Sequence, residues 1–319
     1  MKKNVLMPLF AAALLLTSCG NADNNKSTSE VDNYQPTIMT PSGAPAICFY
    51  DQGNNNKFSA EEATNVKAEL LKNDTDLVVF DFYNGLKLIK ANNAKYKLAR
   101  ILTGGNLYLV GINKTTLPSD DDYIVSFGEG LLPDIAYKEI YGDNVDAYVP
   151  SAKETAAVLS SGLYNGNNVD YVITAQPVLF AQMNNKDAST YGNLHVVEAI
   201  KDSWKELTGQ EILPQAGLFV RDDYYKDHQG SYENEIALLD ERIETAIDDP
   251  QTVKDVMNEN QSLEQQAATF GFNANVAYGV QASKDTPNGF ALVKGDVEVD
   301  LSAFLSAVGD DTDYSDIML

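Results

Sequence analysis

The chain has 319 residues, with 23 lysines and arginines against 46 aspartates and glutamates, and a formal charge of −23. A field of that sign repels polyanions at range, which excludes nucleic acid as a partner. With 44% apolar residues and only two cysteines, the sequence can build hydrophobic cores but not a disulfide scaffold, and its length exceeds what a single core spans, so two lobes are expected.

At the start, Lys2 and Lys3 precede an apolar run over residues 5–16 that is too short to cross a bilayer as a mature helix, the pattern of a secretory signal peptide. Leu16, Thr17, Ser18 and Cys19 resemble the bacterial lipobox, which implies that Cys19 becomes the acylated first residue of the mature protein. Each buried acyl methylene contributes about 0.8 kcal/mol, so several chains hold a protein at a membrane surface without a spanning helix. Residues 20–35 are almost free of apolar side chains and read as a flexible tether. With Cys19 acylated, Cys48 has no disulfide partner; its apolar surroundings in sequence suggest a buried structural thiol.

Short apolar runs then alternate with helical stretches, which argues for an α/β fold with mainly parallel strands. Residues 37–39 read as a strand that ends in a Thr-Pro-Ser-Gly-Ala-Pro turn, and residues 59–72 as an amphipathic helix with Ser59 as its cap and Glu61 and Glu62 in its first turn. A buried strand over 77–82 leads through Tyr83, Asn84 and Gly85 into a helix over 86–91. Strands follow at 96–102 and 107–112, then at 123–126, 146–149, 169–174, 194–197 and 216–220. Helices are expected over 132–141, 151–161 and 176–183, and after 220 the chain turns strongly helical over 232–247, 250–258 and 263–269. A last strand over 289–293 and a helix over 301–308 close the chain.

The sequence is poor in groups that do catalysis. His195 sits beside Val196 and Val197 as a strand residue would, His228 lies in a polar stretch, and neither stands at metal-ligand spacing from a second histidine or a cysteine. No serine elbow, lysine-bearing phosphate loop or dinucleotide fingerprint is present, so no cofactor and no metal are expected. What recurs is a small polar turn directly after a buried strand and directly before a helix: Ser42, Gly43 and Ala44; Tyr83 and Asn84; Thr103, Gly104 and Asn106; Phe127, Gly128 and Glu129; Thr174 and Gln176. At the carboxyl ends of parallel strands such turns face one crevice and can offer it backbone amides. Ordinary helix capping explains any one of them equally well.

At these residues the chain resembles the type II periplasmic binding proteins, in the branch that takes up thiamine pyrimidine precursors, taurine, sulfonates and nitrate. The likeness runs through Pro41 to Ala46, Thr103 to Asn106, Ser126 to Gly130, Asn168 to Pro177, and Trp204 to Gly217. Tyr171 and Gln176 depart from that branch's Val-Asp-Ala and Glu-Pro pattern, and Phe127 and Glu129 stand where sulfonate binders place small hydroxyl residues. The resemblance implies two α/β lobes, residues 36–116 plus 222–319 and residues 117–221, joined by crossing strands near 112–117 and 216–221, with Gln215 and the turns above holding a small solute between them. It implies a monomer that hands its solute to the membrane permease of an ABC importer. A cleft-facing Glu129 would disfavour an anion, and with Tyr50, Phe82 and Tyr83 close in sequence, a thiamine-related pyrimidine is the expected ligand. A lyase or pyrimidine synthase on the same scaffold is the alternative; its mark would be a buried, perturbed acid or histidine in the cleft. A surface adhesin or sensor would also need the anchor and tether, but not turns that share a crevice.

Overall fold

The computed structural model describes residues 33–283, 289–295 and 297–319. The expected signal peptide, Cys19 and nearly all of the expected tether lie outside the described residues. Among the described residues no helix is long and apolar enough to cross a membrane.

The first lobe opens with β1 (Ile38–Pro41), a 3-10 turn over Ala44–Phe49, β2 (Phe58–Glu61), α1 (Ala63–Lys72), β3 (Leu77–Asp81), α2 (Phe82–Asn92) and β4 (Tyr96–Ile101). The second contains β5 (Leu107–Ile112), β6 (Ile124–Phe127), α3 (Leu132–Tyr141), β7 (Ala147–Val149), α4 (Thr155–Ser161), a small hairpin of β8 (Leu163–Tyr164) and β9 (Asn167–Asn168), β10 (Tyr171–Ala175), α5 (Val178–Met183), β11 (Leu194–Ala199) and α6 (Ile200–Thr208). The chain then returns to the first lobe through β12 (Ala216–Arg221), α7 (Asp222–Asp227), α8 (Gln229–Asp248), α9 (Pro250–Asn260), α10 (Leu263–Phe270), α11 (Ala274–Ala282) and α12 (Leu301–Ala307).

The two five-stranded sheets share one plan. The first runs β2-β1-β3-β12-β4 and the second, from its corresponding edge, β7-β6-β10-β5-β11. In each, three parallel strands are followed by one antiparallel strand that arrives from the other lobe: β12 pairs antiparallel with β3 and β4, and β5 pairs antiparallel with β10 and β11. Each sheet is therefore mixed, with four strands running one way and the exchanged strand against them. Both exchanged strands are buried along their whole length, as expected of strands covered on two faces.

This exchange moves the lobe boundaries. Because β5 belongs to the second sheet, the first crossing lies over residues 102–106, not 112–117; because β12 lies wholly in the first sheet, the return crossing precedes Ala216 instead of occupying 216–221. A uniformly apolar strand carries no mark of which sheet it joins, so the sequence signal was silent here. Other differences have local causes. Phe58–Glu61 forms an edge strand beside β1, so α1 starts at Ala63 and Ser59 caps nothing. The strand expected over 289–293 reduces to a bridge between Leu292 and Thr103, with Gly104 N–H donating to the Ala291 carbonyl at 2.7 Å. The hairpin and the helices α6, α7 and α11 went unread.

The cores reflect the division and the join. One buried cluster fills the first lobe around Phe49, Tyr232 and Phe290, another the second around Tyr108, Val125 and Leu179. A third runs through both lobes from Phe82 and Leu86 to Leu109, Ile173 and Trp204. In it Phe304 of α12 packs 4.8 Å from Phe82 and 5.3 Å from Trp204, ring centre to ring centre. Cys48 is fully buried and unpaired, and burial pushes its thiol up to about 12, which makes it inert.

Candidate functional site

The parallel strands of both sheets end on one crevice. β1 leads into Ser42, β3 ends at Asp81, β6 at Phe127, β7 at Val149, and β10 leads into Gln176; all of these residues line a cleft of about 620 Å³ between the lobes. This is where sheets with this connectivity bind ligands.

The floor of the cleft is the hinge. Its two crossings are bridged at Gly104 and Pro214, and the Gln215 N–H donates to the Thr103 carbonyl at 2.9 Å. The Gln215 side-chain oxygen accepts the N–H groups of Gly105 at 2.8 Å and Asn106 at 2.5 Å. Asn106 then grips Gln176 of the second lobe on both sides of its peptide: Oδ1 accepts the Gln176 N–H at 2.9 Å and Nδ2 donates to its carbonyl at 3.2 Å. Gln176 Oε1 accepts the Phe180 N–H at 3.1 Å, in the first turn of α5. Gln176 is 2% exposed, and its Nε2 has no partner among the described residues.

On the first-lobe wall, Asp81 caps two helices from different lobes. It accepts the Asn84 N–H of α2 at 3.0 Å and, across the cleft, the Leu132 N–H that opens α3, also at 3.0 Å. Burial pushes the Asp81 carboxyl above the usual carboxylate range, against the backbone hydrogen bonds that favour its charged form. At the mouth, Lys153 of the second lobe meets Glu62 of the first at 3.3 Å, both exposed. Away from the cleft, Phe180 packs on α11, where a side chain at Gly279 would collide with its ring.

No protein-family model matches the sequence, and no curated protein matches it. Solved structures do. The periplasmic aliphatic sulphonate binding protein SsuA of Escherichia coli aligns over 90% of this chain and 98% of its own, at 12% identity and a TM-score of 0.59. The ligand binding component of an ABC-type import system from Staphylococcus aureus, solved with zinc bound, aligns over 90% and 97% at 12% identity and a TM-score of 0.60. An ABC transporter protein from Parabacteroides distasonis aligns over 80% and 98% at 15% identity and a TM-score of 0.53. At these identities what the chain shares with them is the fold. This is the two-lobed fold of the periplasmic binding proteins.

In a periplasmic-binding-protein fold the residues singled out from sequence separate into two groups. Ser42, Gly43, Ala44, Thr103, Asn106, Phe127, Gly128, Glu129, Gln176 and Gln215 line the cleft. Tyr83, Asn84, Gly104 and Thr174 do not. Asp81 starts α2 directly at the strand end, which carries Tyr83 into the core and leaves Asn84 as the residue that Asp81 caps. Gly104 faces the opposite side of the hinge, in a cavity with Ile212 and Val293. Thr174 is buried in β10, hydrogen-bonded at 2.6 Å to Thr155 of α4. Tyr50 and Phe82 belong to the cores and supply no aromatic wall. His195 lies on β11, and His228 stacks 4.0 Å from Tyr34; neither lines the cleft.

The expected backbone donors are largely committed inside the protein. The N–H groups of Ser42 and Gly43 donate to the carbonyls of Glu61 and Phe270, each at 2.8 Å, and that of Gly128 to Val149 at 3.0 Å. Buried amides find internal partners wherever the chain can supply them, and here strand-end turns do so. The residue that sequence reading missed is Asp81. Its signal was present: an aspartate ending an apolar strand, with Asn84 three residues on, is a helix-cap pattern.

Proposed function

We propose that this chain is the solute-binding component of an ABC-type importer, held to the outer face of a cell membrane by acylated Cys19 and working as a monomer. The observation that carries the reading is the cleft itself, formed by the strand ends of two hinged lobes and floored by their crossings. Ser42 to Ala44, Thr103, Asn106, Phe127 to Glu129, Gln176 and Gln215 are the proposed ligand contacts. The proposed solute is small, and a pyrimidine related to thiamine precursors is the first candidate. Closing on that solute would give the membrane permease one joint surface to recognise.

The enzymatic alternative draws on Asp81, a half-buried acid in the cleft lining whose carboxyl is shifted upward by desolvation. Asp81 caps two helices, however, and no histidine stands in the lining beside it.

Thermal unfolding of the purified protein against pyrimidines, amines, sulfonates and amino acids tests the reading. A true ligand at a hundred times its dissociation constant stabilises by about 2.7 kcal/mol. Stabilisation without turnover is expected; conversion of the bound compound would move the protein to the enzymatic alternative. For the anchor, cells fed labelled palmitate should label the intact chain and not a Cys19→Ala variant.

A further inference from the structure

The chemistry of the cleft identifies a class of solute. This inference rests on the capture reading above and narrows it. Gln176 is held by three hydrogen bonds: Asn106 takes its backbone N–H and carbonyl, and the Phe180 N–H donates to its Oε1. Because Oε1 accepts from a backbone donor, the amide cannot flip without losing that bond, so the atom left over is a donor, Nε2. It is buried and has no partner among the described residues. A buried donor without a partner costs more than a typical hydrogen bond contributes, so a ligand that supplies an acceptor there is strongly favoured.

The other half of the argument concerns charge. A helix N-terminus facing a cleft is the usual place for an anionic ligand group, and α3 offers one. Here the Asp81 carboxylate already occupies it, through the Leu132 N–H at 3.0 Å. Glu62 and Glu129 add negative charge to the lining, and its only cations among the described residues are the exposed Lys67 and Lys153, of which Lys153 is paired with Glu62. A sulfonate or nitrate would meet an occupied helix pole and repelling carboxylates.

We propose that the cleft takes an uncharged solute that presents a hydrogen-bond acceptor to Gln176 Nε2, such as an amide or an aminopyrimidine, and rejects inorganic and sulfonate anions.

Titration calorimetry on the full chain with cytosine, nicotinamide, 4-amino-2-methylpyrimidine, ethanesulfonate and sodium nitrate tests this. At least one of the three neutral compounds should bind at least about tenfold more tightly than either anion. Gln176→Glu keeps the acceptor for Phe180 and replaces the donor, and should weaken that binding by about tenfold or more. Gln176→Leu should do the same, while Lys186→Met, at an exposed position outside the cleft, should not. Tighter binding of ethanesulfonate or nitrate, or neutral binding indifferent to Gln176→Glu, overturns the proposal and leaves solute capture standing. No binding of any of the five also overturns it; capture itself falls only if native mass spectrometry of protein taken directly from cells finds no small molecule bound.

Discussion

Asp76 shows how much one buried carboxylate can organise. At 2% exposure it accepts from the hydroxyls of Tyr34 and Thr37 and from the Thr37 N–H, each at 2.8 Å, and from the Tyr232 hydroxyl at 2.9 Å. It thereby pins the point where the chain enters the first lobe to α8. Asp76→Ala strands these donors and should cost about 3 kcal/mol in urea unfolding. Asp122 gives a pH signature instead. Its carboxylate takes Lys114 Nζ at 2.6 Å and the Ser119 N–H and hydroxyl, both at 2.7 Å, and these hold its pKa down at about 2. A depressed acid stabilises above its unfolded value, near 4, and that contribution is lost as pH falls toward 2. Asp310, also held at about 2, acts in the same window. Asp81, shifted upward, works in the opposite sense, its contribution declining as pH rises. The melting-temperature gap between wild type and Asp122→Asn should therefore be open at pH 5 and closed by about pH 2; a gap that does not change with pH would contradict the assignment.

Among the elements, the crossings and α12 decide whether the lobes move as a pair. Gln215→Leu removes the acceptor for Gly105 and Asn106 and should lower stability by about 1–3 kcal/mol. Hydrogen exchange should then quicken at residues 103–106 more than in the strands around them. Phe304→Ala empties the contact among Phe82, Tyr83 and Trp204 and should cost about 3–5 kcal/mol. Much of this scale was legible. Apart from the β8–β9 hairpin, strand and helix positions from β3 to β11 follow apolar periodicity and turn residues closely. Two kinds of feature were not. The partner of a strand is set by tertiary pairing, so β5 and β12 gave no sign that they change sheets. The exact start of a helix is set by its cap, so Asp81 turned the Tyr83-Asn84-Gly85 turn into helix and moved two candidate residues out of the cleft. Gln176 and Gln215 lie beside Pro177 and Pro214, and both line the cleft.

For the whole molecule, two sheets that exchange one strand each leave a hinge of paired crossings below a cleft with carboxylates on both walls. Among the described residues the lobes are joined by polar ties from Asn106 to Gln176 and from Asp81 to Leu132, by the exposed pair of Glu62 and Lys153, which contributes little on its own, and by the apolar cluster in which Phe304 meets Trp204. The central claim is that solute is held by both lobes at once. Hydrogen exchange by mass spectrometry, with and without the compound that most stabilises the purified chain, tests it most directly. The account predicts simultaneous protection of residues 42–46, 127–132 and 176–180, drawn from both lobes. Protection confined to one lobe, or lying on the far side of the hinge around Ile212 and Val293, would contradict it.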